Sequence, residues 1–550
     1  MSCQTPRGAA QRPSRLFPLH RRAAASTLSV VLSALLTGSC DASDLTQDQS
    51  VGWTPLEPAA NTRRVHVSSS SGSDANDGLS VRSPKATIGA ALELLRNGHP
   101  DWLLIKRGDE FPDGLGDWVY SGRSAAEPMV VTTFGTEDER PVFHCRSGDG
   151  LTVHHEPVHD VAFVGLHLMA DSPDRDKSNG ISLLTPCTRV LIEDCKVERF
   201  FVNLRFQGWK GTHRDLKLRR SVVTDAYTVA NGHSQGIYVQ DVQGCLIEEC
   251  VFDHNGWQDD IPQAKATMFR HNIYIQGSTS DIVIRGNIIA RGGSHGLQAR
   301  SGGDIRNNLF LGNAINLLVG ADVDNSGAVT ATVIGNVMLD GRNISDAEPR
   351  GWAATFQCLA GGEIGYNVAA HQTSGTQPNS YEFDSRRGVG IRNVDFHHNV
   401  AYGWGAPLTL VGDRFDGLVL RNNHLQEFTG AALFCSTHAP GTVARFSSRD
   451  NLFHSTAPEK AWMLHCDQPM SLKDWKAAVA DSTSVAAAAS YPHPERTIAD
   501  YDRSTGGRGS LASFLARARE QSRSRWNSLL VGSNAAARFR ANFGVVVPHP

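Results

Sequence analysis

Hydrophobic positions in this chain recur in short alternating runs rather than at helical spacing. From residue 160 onward one pattern keeps returning: two or three alternating apolar residues, a small turn, an Asn, then an apolar pair. It reads Ile284-Arg285-Gly286-Asn287-Ile288-Ile289, then Ile305-Arg306-Asn307-Asn308-Leu309-Phe310, then Val333-Ile334-Gly335-Asn336-Val337-Met338. The frame continues through Asn367, Asn399, Asn423 and Asn451, and backwards the same slot holds Cys250, Ser221 and Cys195. Period-2 runs of Val, Ile and Leu predict strands. Their return at intervals of 21 to 37 residues, without a helical pattern between them, predicts parallel strands stacked by winding, about 4.8 Å apart. An Asn at one bend of each coil can tolerate the turn's backbone and bond its amide to the Asn above and below.

Several coils carry a second strand after the bend. These strands are Asn203-Leu204-Arg205-Phe206-Gln207, Gly236-Ile237-Tyr238-Val239-Gln240, Asn272-Ile273-Tyr274-Ile275-Gln276 and Gly296-Leu297-Gln298-Ala299-Arg300. Alternation puts Leu204, Phe206, Ile237, Val239, Ile273, Ile275, Leu297 and Ala299 inward. It puts Arg205, Gln207, Tyr238, Gln240, Tyr274, Gln276, Gln298 and Arg300 outward in two columns, with Thr355, Gln357, Glu382 and Asp384 offered by later coils. A solenoid must be capped at both ends. Thr87 to Leu95 has a helical apolar stripe with Thr87 as N-cap, and Leu511, Phe514, Leu515 and Ala518 make another stripe, with a further helix expected within Trp526 to Phe543. The expected fold is all-β: a right-handed parallel β-helix with an N-terminal capping helix and a partly helical C-terminal segment. The expected organisation is an export signal over 1–40, a polar tether over 41–62, the cap and first coils over 63–150, the β-helix over 151–468 and a cap or flank over 469–550.

The 550 residues carry a net charge of −3, so nothing points to nucleic acid as a partner. Arg12, Arg15, Arg21 and Arg22 precede an apolar stretch from Ala23 to Leu36 that suits an export signal and is short for a membrane span. Thr37-Gly38-Ser39-Cys40 follows, with Cys40 the candidate lipidated residue, although Thr37 stands where such boxes usually have Leu. The expected locations are periplasmic, outer-membrane-anchored or extracellular, as a monomer touching membrane only through that anchor. The other eight cysteines show no zinc spacing, and most of them read as small buried hydrophobes. Asp322-Val323-Asp324-Asn325-Ser326-Gly327 and Asp171-Ser172-Pro173-Asp174-Arg175-Asp176 complete no calcium loop. No metal and no cofactor is therefore expected, with calcium left open.

Ser71-Gly72-Ser73-Asp74-Ala75-Asn76-Asp77-Gly78, Ser83-Pro84-Lys85-Ala86-Thr87-Ile88 and Ile105-Lys106-Arg107-Gly108-Asp109 resemble the N-terminal cap of pectate-lyase-like β-helix proteins. With the ladder, the resemblance covers roughly residues 64–468. It implies a polysaccharide partner and a sugar groove along the Tyr238–Tyr274–Gln298 face, and it leaves the chemistry open. His233, His271 and His295 each stand just before a strand of that face, with Gln235 beside the first. Lysis of an acidic, uronic-acid polysaccharide by β-elimination needs a cation opposite the carboxylate, a base and an acid. His271 or His295, Tyr274 or Tyr238, and Arg300 with Gln298 can fill these roles. Arg205, Gln207, His233, Tyr238, Gln240, Gln276 and Gln298 are the candidate substrate-binding residues, and His271, His295, Tyr274 and Arg300 the catalytic ones. A uronate epimerase would use the same groups. A glycoside hydrolase needs two carboxylates, for which Asp253, Glu382 and Asp384 are the candidates. A non-catalytic glycan-binding or structural surface protein remains the third reading.

Overall fold

The computed structural model describes residues 52–146, 148–171, 177–321, 329–430, 432–436, 446–465 and 468–548. The expected export signal with Cys40, residues 322–327 and residues 172–176 lie outside these residues. So do Cys466 and the side chain of Cys435. All the elements below belong to one unit, Pro55–Pro550.

Alternating apolar runs become three long sheets of fourteen strands each among the described residues, every strand pairing with the third one after it for nearly the whole length. The first sheet runs from Arg64–Val67 to Phe446–Arg449, the second from Glu110–Phe111 to Val485–Ala486, and the third from Gly116–Asp117 to Gln468–Met470. The chain thus visits each sheet once per coil. Pairing is parallel throughout except where Met463–His465 meets Gln468–Met470. Side chains facing inward from all three sheets form one continuous core from Val65 to Val479.

The Asn frame stands in a single buried column at the bend between the first and second sheets. Asn287 Nδ2 donates to Asn308 Oδ1 at 2.9 Å, and the same bond repeats from Asn308 to Asn336, Asn367, Asn399, Asn423 and Asn451 at 2.9 to 3.1 Å. Cys250 N–H donates to Asn287, and Cys195 N–H to Ser221. Cys195 and Cys250 are free thiols, as their two-coil separation requires. One detail differs from expectation. The left-handed position of each bend belongs to the preceding residue, such as Gly286 (φ 66°), Asn307 (53°), Gly335 (67°) and Tyr366 (59°). The ladder Asn instead satisfies buried backbone groups, because its amide replaces the strand bonds that the bend interrupts.

The five-residue helix Ile88–Leu92 closes one end of the core, with Thr87 capping Ala90 N–H and Ile88 and Ala91 buried. At the other end Trp475, from the helix Leu472–Ala478, packs on Phe434, Phe446 and Phe453. The helices Ile498–Ser504, Leu511–Arg519 and Gly532–Asn542 then run along the outer face of the second sheet. There Phe514, Leu515, Ala536 and Phe539 bury Val251, Ile288, Leu309 and Val337. No helix among the described residues is long and apolar enough to cross a membrane.

Candidate functional site

Register in the third sheet determines which outward residues meet. Arg205 pairs with Tyr238, Tyr238 with Tyr274 and Tyr274 with Gln298. The column continues through Leu318 and Thr355 to Glu382. Gln207 pairs with Gln240 in the neighbouring column. Inward partners Leu204, Phe206, Ile237, Val239, Ile273, Ile275, Leu297 and Ala299 are buried, so the alternation holds over all four strands.

Arg205, Gln207, His233, Tyr238, Tyr274 and Gln276 line a pocket of about 270 Å³ on this face, together with Gln235 and Asn179. Tyr238 and Tyr274 meet edge to face at 5.6 Å. The Tyr238 hydroxyl donates to Gln240 Oε1 at 2.7 Å, and Gln276 Nε2 donates to the Tyr274 hydroxyl at 3.1 Å. Burial raises the Tyr238 phenol above its ordinary value, so the phenol stays protonated. Arg205 donates from Nε to Gln207 Oε1 at 2.8 Å and lies 4.5 Å from the ring of Trp209. Among the described residues no carboxylate comes within ion-pair distance of Arg205. Burial shifts its guanidinium downward, only partly opposed by the charge of Asp149 beyond ion-pair range, which is the cost of holding a cation against a neutral amide. Trp209 lies beside Arg205 and Phe269 beside His233, 62% and 57% exposed, a degree unusual for rings of that size.

His271 and His295 do not stand at the groove edge. Both are about 2% exposed, His271 packed against Tyr274 and Gln298, and His295 against His271. The His271 ring lies 4.8 Å from both the Tyr274 and His295 rings. Arg300 can only donate, so Gln298 presents its oxygen to Arg300 Nη2 and Nε at 2.6 and 3.0 Å. It turns its N–H toward His271 Nε2 at 2.9 Å. His271 Nδ1 lies 3.3 Å from the Gln235 amide. Burial, then His295, His233 and Arg300, push His271 well below the usual imidazole range. Burial and two arginines, Arg300 and Arg350, bring His295 down to about 3. Both rings are therefore neutral at pH 7 and out of contact with solvent, which suits them to hold Tyr274 and Gln298 in place. His233 is the exposed member of the trio, with its pKa lowered by burial of part of its ring. It lies 5.3 Å from Phe269 and 6.5 Å from Tyr274, ring to ring.

The carboxylate candidates separate. Asp253 is fully buried on the second sheet, bound by Arg291 at 2.6 Å and Arg519 at 2.6 Å. It anchors the C-terminal helices and has no access to the groove, so the hydrolytic role considered for it is withdrawn. Glu382 and Asp384 do share the groove face. Asp384 is ion-paired to Arg386 at 2.8 Å and held low, whereas burial and Asp384 raise Glu382 to about 7.

Three features escaped the sequence reading. A second buried Asn ladder links Asn203, Asn255, Asn272, Asn313 and Asn316 at 2.8 to 3.1 Å, at the bend leading into the site sheet. Its members sit at irregular spacing because loops of different length enter that bend. Arg270 is buried and donates to the carbonyls of Ala230, Gly232 and Lys265, fixing the loops on either side of the pocket. Trp209 and Phe269 flank the strands just outside the alternating runs, where an aromatic beside polar residues is the available signal.

Residues 175–338 match the family model described as a right handed beta helix region, and the chain is a right-handed parallel β-helix. No curated protein matches the sequence. Among solved structures the chain is similar to the pectate lyase Pel9A, at 16% identity and a TM-score of 0.38 over 57% of this chain and 78% of that one. It is similar to a lacto-N-biosidase from Eubacterium ramulus, at 11% identity and a TM-score of 0.33 over 71% and 67%. A mannuronic acid specific polysaccharide family 6 lyase from human gut microbiota gives 13% identity and a TM-score of 0.40 over 70% and 90%.

Proposed function

We propose that this β-helix is an exported polysaccharide lyase whose substrate is an acidic, uronic-acid glycan bound along the third sheet. The observation that carries the reading is Arg205. A half-buried guanidinium lies in a pocket, held by the neutral Gln207 and by Trp209, with no carboxylate in ion-pair range among the described residues. A sugar carboxylate would supply the direct ion pair that Asp149, farther off, does not make. The exposed faces of Trp209 and Phe269 suit stacking against sugar rings.

In the elimination a base removes the proton next to the carboxylate, the C4–O bond breaks as the C4–C5 double bond forms, and an acid protonates the leaving oxygen. His233, accessible and neutral at pH 7, is the base. Tyr274 or Tyr238, whose phenols both line the pocket, is the acid. Arg205 stabilises the charge that develops on the carboxylate. His271, His295, Gln298 and Arg300 hold Tyr274 in position. The test is incubation of the purified chain with a panel of acidic polysaccharides, following the ultraviolet absorbance of the unsaturated uronate. The double variant Tyr238→Phe, Tyr274→Phe and the variant Arg205→Ala should each abolish the signal while circular dichroism stays unchanged. Full activity in both variants would remove the pocket from the chemistry.

One observation favours a second reading. Glu382 near 7 beside an ionised Asp384 is a proton donor next to a carboxylate, the pairing that hydrolysis of a glycosidic bond requires. New reducing ends without the unsaturated product, lost in Glu382→Gln, would select hydrolysis.

A further inference from the structure

The site sheet begins with a two-residue strand, Gly116–Asp117, paired with Leu151–Val153 so that Asp117 matches Thr152. From Thr152 the register passes to Ser182, Arg205 and Tyr238. Asp117 therefore stands in the same outward column as the pocket, four strand steps from Tyr238, about 19 Å at the usual spacing. Two histidines follow the neighbouring strand. His154 Nδ1 lies 3.0 Å from Asp117 Oδ1, and His155 Nε2 lies 3.4 Å from Asp117 Oδ2. The two rings lie 3.8 Å apart, centroid to centroid. One donor atom from each of the three residues falls within 4.8 Å of the other two.

We propose that Asp117, His154 and His155 form a binding site for a divalent transition metal of the zinc class. Metal–nitrogen and metal–oxygen bonds of about 2.0–2.2 Å in a tetrahedron put neighbouring donor atoms about 3.3–3.5 Å apart. The two nitrogen-to-carboxylate separations, 3.0 and 3.4 Å, bracket the lower end of that range. The 3.0 Å separation is also within reach of an N–H to oxygen hydrogen bond, so the angle rather than the distance decides. A charge-assisted N–H to carboxylate bond runs about 2.7–2.9 Å. His154 Nδ1 is shielded from solvent and makes no hydrogen bond of acceptable geometry, although Asp117 lies beside it. Two imidazole nitrogens and one carboxylate suit zinc, cobalt, nickel or copper rather than calcium, which takes six to eight oxygens. The side chains are 39 to 59% exposed, so a fourth position is open to water or to an oxygen of a bound ligand. Bound metal would tie the short first strand of the sheet to the loop after the second, stapling the first coil. The inference stands independently of the lyase reading.

The experiment uses the untagged full chain, since a polyhistidine tag would take the same metals. Zinc is titrated in by calorimetry at neutral pH. Diethyl pyrocarbonate modification is then mapped by peptide mass spectrometry with and without the metal. One equivalent should bind, and zinc should protect His154 and His155 while leaving His493, which is 46% exposed beside Glu495, as reactive as before. His154→Gln, His155→Gln and Asp117→Asn should each weaken zinc binding by more than about tenfold, the loss expected even for an outer-shell partner. His493→Gln should leave it unchanged. Equal modification of His154 and His155 with and without zinc would overturn the proposal without relying on any variant. Undiminished affinity in the three folded variants would overturn it as well.

Discussion

Removing one rung of the Asn ladder tests the physical account of the fold. Asn336 accepts from Asn308 N–H at 3.0 Å and from Asn308 Nδ2 at 2.9 Å. It donates to the Ile305 carbonyl at 2.8 Å and to Asn367 Oδ1 at 3.1 Å. Asn367 Oδ1 keeps a second donor, the Asn336 backbone N–H at 2.9 Å. Asn336→Ala therefore strands mainly two donors of Asn308, in a site with 0% exposure. Each buried unsatisfied group costs about 1–3 kcal/mol, so the loss should be about 2–6 kcal/mol. The chain itself suggests the control. Ser221 occupies the same slot and accepts from Cys195 N–H at 3.1 Å, so Asn336→Ser should keep one acceptor and cost about half as much. Urea unfolding gives the total. Hydrogen exchange at the Asn308 amide gives the local effect, which matters because long repeat arrays can open in sections. A loss below about 1 kcal/mol for Asn336→Ala would refute the reasoning. So would equal losses for Ala and Ser, since the ladder would then act through packing alone.

Other outcomes follow from the same contacts. Arg519 joins Asp225 and Asp253 at 2.9 and 2.6 Å. Arg519→Ala should cost about 1.5–3 kcal/mol, because Asp253 keeps Arg291 and Asp225 keeps His254, and limited proteolysis should cut 488–548 faster; unchanged proteolysis would show that apolar packing alone docks the helices. Unfolded, Glu382 titrates near 4.5, and folded it holds its proton to about 7. Its stabilising contribution is thus full below 4.5 and is lost as pH rises to about 7. Glu382→Gln should flatten the fall in urea stability across that window, and an unaltered pH profile would contradict the burial argument. Burial raises Cys187, Cys195 and Cys245 to about 12. These thiols should resist iodoacetamide in the native chain and react after unfolding; native labelling mapped to any of them would mean that the coils open there.

The repeating Asn and the alternation of Val, Ile and Leu were enough to read the winding, the inward faces and the two outward columns. Each rests on local geometry: period 2 decides sides, and a bend that interrupts strand bonding needs an amide. The capping helix and the stripe at Leu511 to Ala518 were legible for the same reason, since an amphipathic face requires an apolar surface to cover it. What alternation could not decide is depth. His271 and His295 stand two residues before Ile273 and Leu297, at the parity of the core-facing positions, yet they meet Tyr274 and Gln298 as buried supports, while His233, one coil away, stays in the pocket. Asp253 looked like a carboxylate near the groove until Arg519, 266 residues later, was seen to claim it. The approach of Asp117 to His154 and His155 likewise depends on which strands stack, because residues 37 positions apart meet only through register. Sequence determined the periodic contacts of this protein, which repeat along the chain. Only the tertiary structure decided the contacts made by its unequal loops, because loop length sets where a side chain lands and no period records it.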